Sequence, residues 1–423
     1  MTPPPTAFPA PSPLSSAWTL DPAVVFLNHG SFGAAPRSVL EFQAELTARI
    51  ERQPVRFFIR ELEGLLDGVR GALGSFLGAN PDDLALVSNA TSGVNTVVRS
   101  LDFVPGDEVL TTDHSYTACV NALSYAASRA GARMVTASVP FPLDGPDRVV
   151  EAVMARVTER TRLALLDHVT SPTGVVFPVE RLVPLLQGRG VDVLIDGAHA
   201  PGMLPLHLDS LGAAYYTGNC HKWLCAPKGA AFLHVRRDRQ ERIHPLATSH
   251  GRNVPRTDRS RFRLEFDWSG TDDPTAWLSI PASIRALEGL VPGGWPEVMA
   301  RNHALAVAGR RVLCTALGVA PPCPEGMLGS LAAVRLPDGA GKPRGFLGTD
   351  PLQDVLLERK SIEVPILQWP APPARWLRVS AQLYNSPEQY AYLAGCLTEL
   401  LAKAAHPGGP GAAVPHETAT PKG

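Results

Sequence analysis

Short apolar runs rich in β-branched residues recur through the middle of the chain and alternate with segments of helical pattern. "DLALVS" closes at 88, "DEVLTT" at 112, "RMVTASV" at 139, "RLALLDH" at 168, "VDVLIDG" at 197, "AAYYTG" at 218 and "GAAFLHV" at 235. Several are apolar on both faces, the pattern of strands covered by helices on either side. Between them, "SGVNTVVRSLD" from 92, "ACVNALSYAASRAG" from 118 and "RVVEAVMARVT" from 148 read as helices. The alternation predicts an α/β fold with a mainly parallel sheet in a large domain. Too few residues separate "GNCHKW" from "GAAFLHV" for a crossover helix, so the last strand is expected to run antiparallel and the sheet to be mixed.

Beyond 235 the pattern changes. "RRDRQERIHPLATSHGRNVPRTDRSRFRLEFDWSGTDDP" has no clear period, and its charges read as a solvated surface loop. A long helical pattern then leads to "LAAVRLP", "VLLERKSIEVPI" and "WLRVSAQLYN", which predict a smaller α/β C-terminal domain. The expected organisation is a large domain over 17–275, with 17–60 able to pack on the small one, and a small domain over 276–404. The Pro-rich leader 1–16 and the tail 405–423 hold too little apolar surface to offset the entropy of ordering.

Composition narrows the ligand class. With 39 Lys+Arg against 40 Asp+Glu and a formal net charge of −1, nothing favours nucleic acid or an anionic membrane, and a small molecule is the expected partner. Six scattered cysteines without a CxxC pair fit a reducing compartment, the cytoplasm. No apolar run is long enough to span a bilayer, and the N-terminus lacks the basic start and apolar core of a signal peptide.

In open α/β sheets ligands gather beyond the carboxyl ends of the strands. After the first strand, "SNATSGVN" sets small polar residues before a helix, which offers free N–H groups and a positive dipole end to a phosphate; an ordinary cap by Thr91 or Ser92 is the alternative. "TTDHSYTA" offers His114 and Tyr116, and "DHVTSPTG" polar groups on a proline turn. "VDVLIDGAHAPG" ends an apolar strand with Asp196, costly there without a cationic partner, and places His199 in a small-residue turn. "TGNCHKWLCAPKG" sets Lys222 among Cys220, Trp223, Leu224 and Cys225, a setting that desolvates an amine and lowers its proton affinity. A phosphate site, an aromatic ring, a buried acid and a lysine able to condense with an aldehyde are together what pyridoxal 5′-phosphate requires. A zinc site at Cys220, His221 and Cys225 has no evident fourth ligand, so no metal is expected.

Through "FLNHGSFGAAPRSV", "NATSGVN", "DGAHAPG", "GNCHKWLCAPKG", "WSGTDDP" and "RVSAQLYN", roughly residues 18 to 403, the chain resembles the class V aminotransferases of fold type I, and within them the isopenicillin N epimerase-like group. The resemblance implies that Lys222 carries the cofactor, Asp196 faces its pyridine nitrogen and His199 lies near its ring hydroxyl. It further implies that Ala90 and Thr91 hold the phosphate with Asn219 and His221, and that Tyr116, ahead of His114, stacks on the ring. Arg378 would pair with the substrate α-carboxylate, and Asn28 and His29 would line the substrate entrance. A homodimer with shared active sites is implied, with Gly270 and Thr271 reaching the phosphate of the neighbouring subunit.

The implied activity is chemistry at the α-carbon of an amino acid or a metabolite derived from one. Epimerisation comes first; C–S β-elimination or transamination is the alternative, because all three begin with the same deprotonation. Desulfurase chemistry needs a cysteine shortly before the carboxylate-binding arginine, and Cys314 and Cys323 lie far upstream. A catalytically silent binding protein on the same scaffold would be marked by loss of Lys222 or Asp196, and both are present.

Overall fold

The computed structural model describes residues 8–339 and 348–405. Its strands are β1 (Val25–Phe26), β2 (Leu84–Val87), β3 (Glu108–Thr112), β4 (Arg133–Ala137), β5 (Thr161–Asp167), β6 (Asp192–Asp196), β7 (Tyr215–Asn219), β8 (Ala231–Val235), β9 (Leu331–Leu336), β10 (Ile362–Glu363), β11 (Ile366–Leu367) and β12 (Arg375–Ser380). Seven of them form one sheet in the order β2-β8-β7-β6-β5-β3-β4. From β7 to β4 neighbours run parallel, whereas β8 is antiparallel to both β7 and β2, as the short connection demands.

The pleat explains the doubly apolar runs. Leu163 and Leu165 of β5 belong to one buried cluster with Val94, Val97 and Leu123 from the helices Ala90–Ser100 and Thr117–Ala130. Ala164 and Leu166 belong to the cluster on the opposite face, with Val179, Leu182 and Leu186 from the helix Val179–Gln187. Each face is thus sealed, and polar strand-end residues are left as the place where chemistry can be exposed.

A second sheet, β11-β12-β9, is antiparallel and packs with the helices Gly294–Leu317 and Pro387–Ala405. The N-terminal segment joins this part of the molecule, with β1 pairing parallel to β10 through Val25↔Ile362 and Phe26↔Glu363.

Two expectations are corrected. Residues 8–16, read as part of a disordered leader, are ordered: Pro13–Ala17 forms a 3-10 turn, Ser12 N–H donates to Tyr384 O at 3.0 Å and Ser386 Oγ donates to Ala10 O at 2.7 Å. Proline's fixed φ makes such a segment inexpensive to dock, which composition alone does not reveal. Residues 1–7 and 406–423, the rest of the expected tails, lie outside the described residues.

The arginine-rich stretch is a solvated loop only in part: residues 245–258 are mostly exposed and irregular, whereas its end folds down. Ser260 caps the helix Arg261–Asp267, which buries Phe262, Leu264 and Phe266. Arg263 is buried as well and reaches Asp82 at 2.7 Å, while Arg259 grips both oxygens of Asp67 at 2.6 and 2.7 Å. The charges are matched by acids from elsewhere in the chain and fold down as ion pairs. Among the described residues no helix is long and apolar enough to cross a membrane.

Candidate active site

The carboxyl ends of β5, β6 and β7, with the start of the helix Ala90–Ser100, line one cavity of about 480 Å³. Asp167 ends β5 and is the register partner of Asp196, which ends β6; Asn219 ends β7. Lys222 sits in the turn that follows and lines the same cavity as Asp196. This turn is tight: the N–H groups of Cys220 and His221 both donate to Ala230 O, Ala226 N–H donates to Cys220 O, and Cys225 adopts φ +59°. Gly33 at φ +69° presses against it so closely that a Cβ would lie 2.0 Å from His221 O.

Burial pushes the Lys222 amine down to about 7; the Arg378 guanidinium pushes the same way, and Asp196 opposes them. His199 Nε2 stands 3.2 Å from Lys222 Nζ, and Trp223 Nε1–H donates to His199 Nδ1 at 3.3 Å. Burial, then the neighbouring Lys222 and Arg378 charges, hold the imidazole well below its ordinary pKa, so the ring is neutral. Ala198 N–H donates to Asp196 Oδ1 at 3.0 Å, and the Cys119 thiol donates to Oδ2 at 3.1 Å. Burial, and next the Asp196 charge, push Asp167 well above the usual carboxylate range. Two acids therefore end adjacent strands, and Asp167 Oδ2 has no partner among the described residues.

At the helix N-terminus Asn89 Oδ1 accepts from Ser92 N–H at 2.8 Å. Ala90 N–H, expected to serve the phosphate, is instead taken by Asn219 Oδ1 at 2.8 Å, so two residues read as separate phosphate donors are bonded to each other. That leaves Thr91 as the first-turn N–H free for an anion among the described residues, with the Asn219 amide NH2 beside it. His221 lines the cavity too; its Nδ1–H donates to Ala230 O at 3.2 Å, and burial lowers its pKa to about 4.

The opposite end is cationic. Arg378 on β12 is buried, donates from Nη1 to Ser171 Oγ and from Nη2 to Ser31 Oγ, each at 3.2 Å, and has no carboxylate partner among the described residues. Its Nε is unpaired, and burial lowers its pKa to about 10. An arginine taken out of water without a counter-ion is arranged for an anion that arrives from outside.

Other expected residues separate. Tyr116 lines the cavity and is 45% exposed, whereas His114 is fully buried, bonded to Thr173 Oγ1 at 2.8 Å and 4.4 Å from the Trp369 ring, so of the two only Tyr116 faces the cavity. His29 does not line an entrance: it is fully buried, with Nδ1 2.8 Å from Tyr384 Oη and Nε2 3.0 Å from Lys222 O, and burial lowers its pKa to about 3. Asn28 is likewise withdrawn; it accepts from Ser31 Oγ, donates to Glu363 Oε1 at 3.0 Å and touches the cavity only through Ser31. Gly270 and Thr271 are exposed and lie off the cavity of their own chain.

Sequence reasoning missed Asp167, Ser31, Ser171 and Cys119, and read Trp223 only as apolar company for Lys222. Asp167 carried the same signal as Asp196, an acid closing an apolar strand. The others become visible only when β12, the 28–32 segment and the helix Thr117–Ala130 are brought together. The ensemble suits the expected cofactor: an amine and a carboxylate share one cavity, donors for a phosphate stand at a helix start, and a half-exposed phenol lies on the wall.

A family model described as aminotransferase class-V matches residues 36–311. An isopenicillin N epimerase from Amycolatopsis lactamdurans is 37% identical over 396 residues, which cover 90% of this chain and 96% of that protein. A probable chloroplastic L-cysteine desulfhydrase from Arabidopsis thaliana is 31% identical over 408 residues, covering 90% of this chain and 84% of that protein. Among solved structures, the complex of the cystine C–S lyase C-DES with its product cysteine persulfide matches with a TM-score of 0.73 at 21% identity, covering 89% of this chain and 97% of that one. This last likeness is one of fold, and it agrees with the mixed α/β architecture expected from the strand and helix alternation.

Proposed function

Because the chain belongs to the class V aminotransferase family, we propose that it is a pyridoxal 5′-phosphate enzyme that labilises a bond at the α-carbon of an amino acid or a metabolite derived from one. Epimerisation of the isopenicillin N epimerase kind is the leading reaction. The observation that carries this reading is the cavity shared by Lys222 and Asp196, with the unpaired Arg378 guanidinium behind Ser31 and Ser171 on its wall.

When bound, the cofactor supplies an electron sink for the bond that breaks. Lys222 would hold it covalently and, once released, carry the α-proton on Nζ; an amine near pKa 7 suits both tasks. Asp196 would accept a hydrogen bond from the pyridine nitrogen, and its orientation is fixed beforehand by Ala198 N–H and the Cys119 thiol. Tyr116 would stack on the ring, His199 would meet its hydroxyl, and Thr91, Asn219 and His221 would take the phosphate. Arg378 would pair with the substrate carboxylate, whose charge replaces the counter-ion it lacks.

The protein acts as a homodimer in this reading, with Gly270 and Thr271 of one protomer reaching the phosphate of the other. Their exposure away from their own cavity supports this, as does Phe32, 62% exposed at the cavity rim. Six free cysteines, all buried, support a cytoplasmic setting.

C–S β-elimination is the second reading, favoured by the likeness to L-cysteine desulfhydrases. Desulfurase chemistry, in which an enzyme cysteine takes up the substrate sulfur, has no support, because no cysteine lies between Cys323 and Arg378. Purified protein should absorb in the visible, borohydride should bleach it irreversibly, and Lys222→Ala should abolish the reducible adduct. A colourless preparation that cannot be reconstituted would leave a silent scaffold. In heavy water, α-deuterium in recovered amino acid without product supports epimerisation; pyruvate and ammonia support elimination.

A further inference from the structure

We propose that Trp223 is a positioning residue whose indole N–H selects the tautomer of His199 and thereby presents Lys222 with a donor that only a free amine can accept. The proposal rests on the reading that Lys222 is the point of cofactor attachment, and it assigns the preparation of that amine to a residue outside the cavity wall.

The argument follows from what each atom can do. Indole Nε1–H donates and has no lone pair to accept with. Its contact with His199 Nδ1, at 3.3 Å, therefore requires Nδ1 to be the acceptor. A neutral imidazole with an accepting Nδ1 carries its proton on Nε2, and Nε2 stands 3.2 Å from Lys222 Nζ. An ammonium at that point would set one N–H against another, whereas a neutral amine offers its lone pair. The chain Trp223→His199→Lys222 thus closes only with the lysine unprotonated.

The indole is fixed for this purpose. Trp223 is fully buried, and its ring lies 4.9 Å from that of His29, which is itself held by Tyr384 Oη and Lys222 O. Gly202, at φ +83°, lets its own backbone reach the Trp223 carbonyl, where a Cβ would come within 2.6 Å. The charges around Lys222 do not make the outcome automatic: Arg378 favours the free amine, but Asp196, Cys119 and Asp167 favour the ammonium. Around His199, the groups Lys222, Arg378, His221 and His29 all disfavour an imidazolium. Donation from His199 adds to the burial and the Arg378 charge that oppose the acids.

The test needs no cofactor in its first arm. In apoenzyme labelled with ¹⁵N at histidine, His199 should show a protonated Nε2 and a bare Nδ1, and Lys222 should titrate near neutrality. In Trp223→Phe, which keeps the ring and removes the donor, Nδ1–H should become populated and the Lys222 titration should move up by about one unit. The second arm follows pyridoxal 5′-phosphate capture by absorbance, which should slow about threefold near pH 7.5. A wild-type ring protonated on Nδ1, or a Trp223→Phe protein whose tautomer and lysine titration are unchanged, would overturn the proposal. If Trp223→Phe fails to fold, the wild-type tautomer decides alone. Wild-type protein that shows the expected tautomer yet captures no cofactor would defeat the functional reading and leave the relay standing.

Discussion

Arg378 Nη2 lies 3.2 Å from Ser31 Oγ, so a guanidinium on β12 is aimed by a segment from the other end of the chain. Ser31 in turn donates to Asn28 Oδ1, and Asn28 is anchored on Glu363. Arg378→Lys keeps the charge and loses the planar fork; the expected result is a 10- to 100-fold rise in KM, about 1.4 to 2.7 kcal/mol, with a smaller effect on kcat. Asn28→Ala, acting only through Ser31, should raise KM by a few-fold. Steady-state kinetics that show a large kcat loss at unchanged KM for Arg378→Lys would remove the residue from substrate binding.

The two aromatic candidates separate in the same way. Tyr116 is on the cavity wall and His114 is in the core. Tyr116→Ala should weaken cofactor binding by about tenfold or more, in line with the loss of one stacked ring. His114→Phe should leave cofactor affinity within a few-fold and lower thermal stability, because it abandons Thr173 and the Val139 carbonyl. Equilibrium dialysis and thermal melts measure the two effects separately.

How far the site could be read in advance depended on the distance between partners. Asp196 and Lys222 stood out because each follows an apolar strand run, a signal that fits inside a ten-residue window. His29 was misplaced because its burial is set by Tyr384, 355 positions away, and Arg259 because Asp67 lies 192 positions upstream. The sheet was legible for a related reason: the doubly apolar pattern of β5 to β8 is local, and the short turn after Lys222 already excluded a parallel return. Which N–H groups remain open for a phosphate was not legible, since the Asn219 side chain chooses Ala90 only once β7 and the helix Ala90–Ser100 are side by side.

Lys222 should destabilise the empty protein. Its ammonium form is lost near pH 7 in the folded state against about 10.5 in the unfolded chain, so the unfolded state binds more protons between those limits. Wild-type stability should therefore rise with pH across this window. Lys222→Met should stabilise the apoprotein by about 3 kcal/mol at pH 7.5, after allowance for solvent in the cavity. The gain should shrink toward pH 10, as denaturant titrations at several pH values would show. An equal gain at every pH would mean that packing alone is responsible.

Gly33 and Gly106 both have positive φ but differ in surroundings. A Cβ at Gly33 would strike His221 O, whereas one at Gly106, φ +94°, meets no described atom within 4 Å. Gly106→Ala should cost about 1 kcal/mol from backbone strain alone. Gly33→Ala should cost clearly more and should also lower cofactor retention, because the colliding carbonyl belongs to the turn that carries Lys222. Equal losses of stability in the two variants, with cofactor retained, would show that the turn can yield.

The arginine cluster over Asp67 should give the fold a defined acid limit. Hydrogen bonding to Arg259 first, and to Arg263 after it, holds Asp67 down to about 2 against an ordinary 3.8, despite opposing burial. A carboxylate depressed in the folded state contributes stability that is fully present above its unfolded pKa and lost as pH falls through the folded one. The Asp67 contribution should then be intact at pH 5 and decline between about pH 4 and pH 2. Asp67→Asn should be less stable than wild type at neutral pH and converge on it within that window. Arg263→Met removes the buried cation instead, leaving Asp82 without its ion-pair partner while Arg259 and Arg70 still face Asp67 and Asp267, and should cost about 1 to 2 kcal/mol at pH 7. Because Arg259 still grips Asp67, it should keep part of the acid-dependent loss that Asp67→Asn abolishes. If both variants track wild type in parallel at every pH, the cluster is a solvated set of charges after all and the packing of Phe262, Leu264 and Phe266 alone holds this segment down.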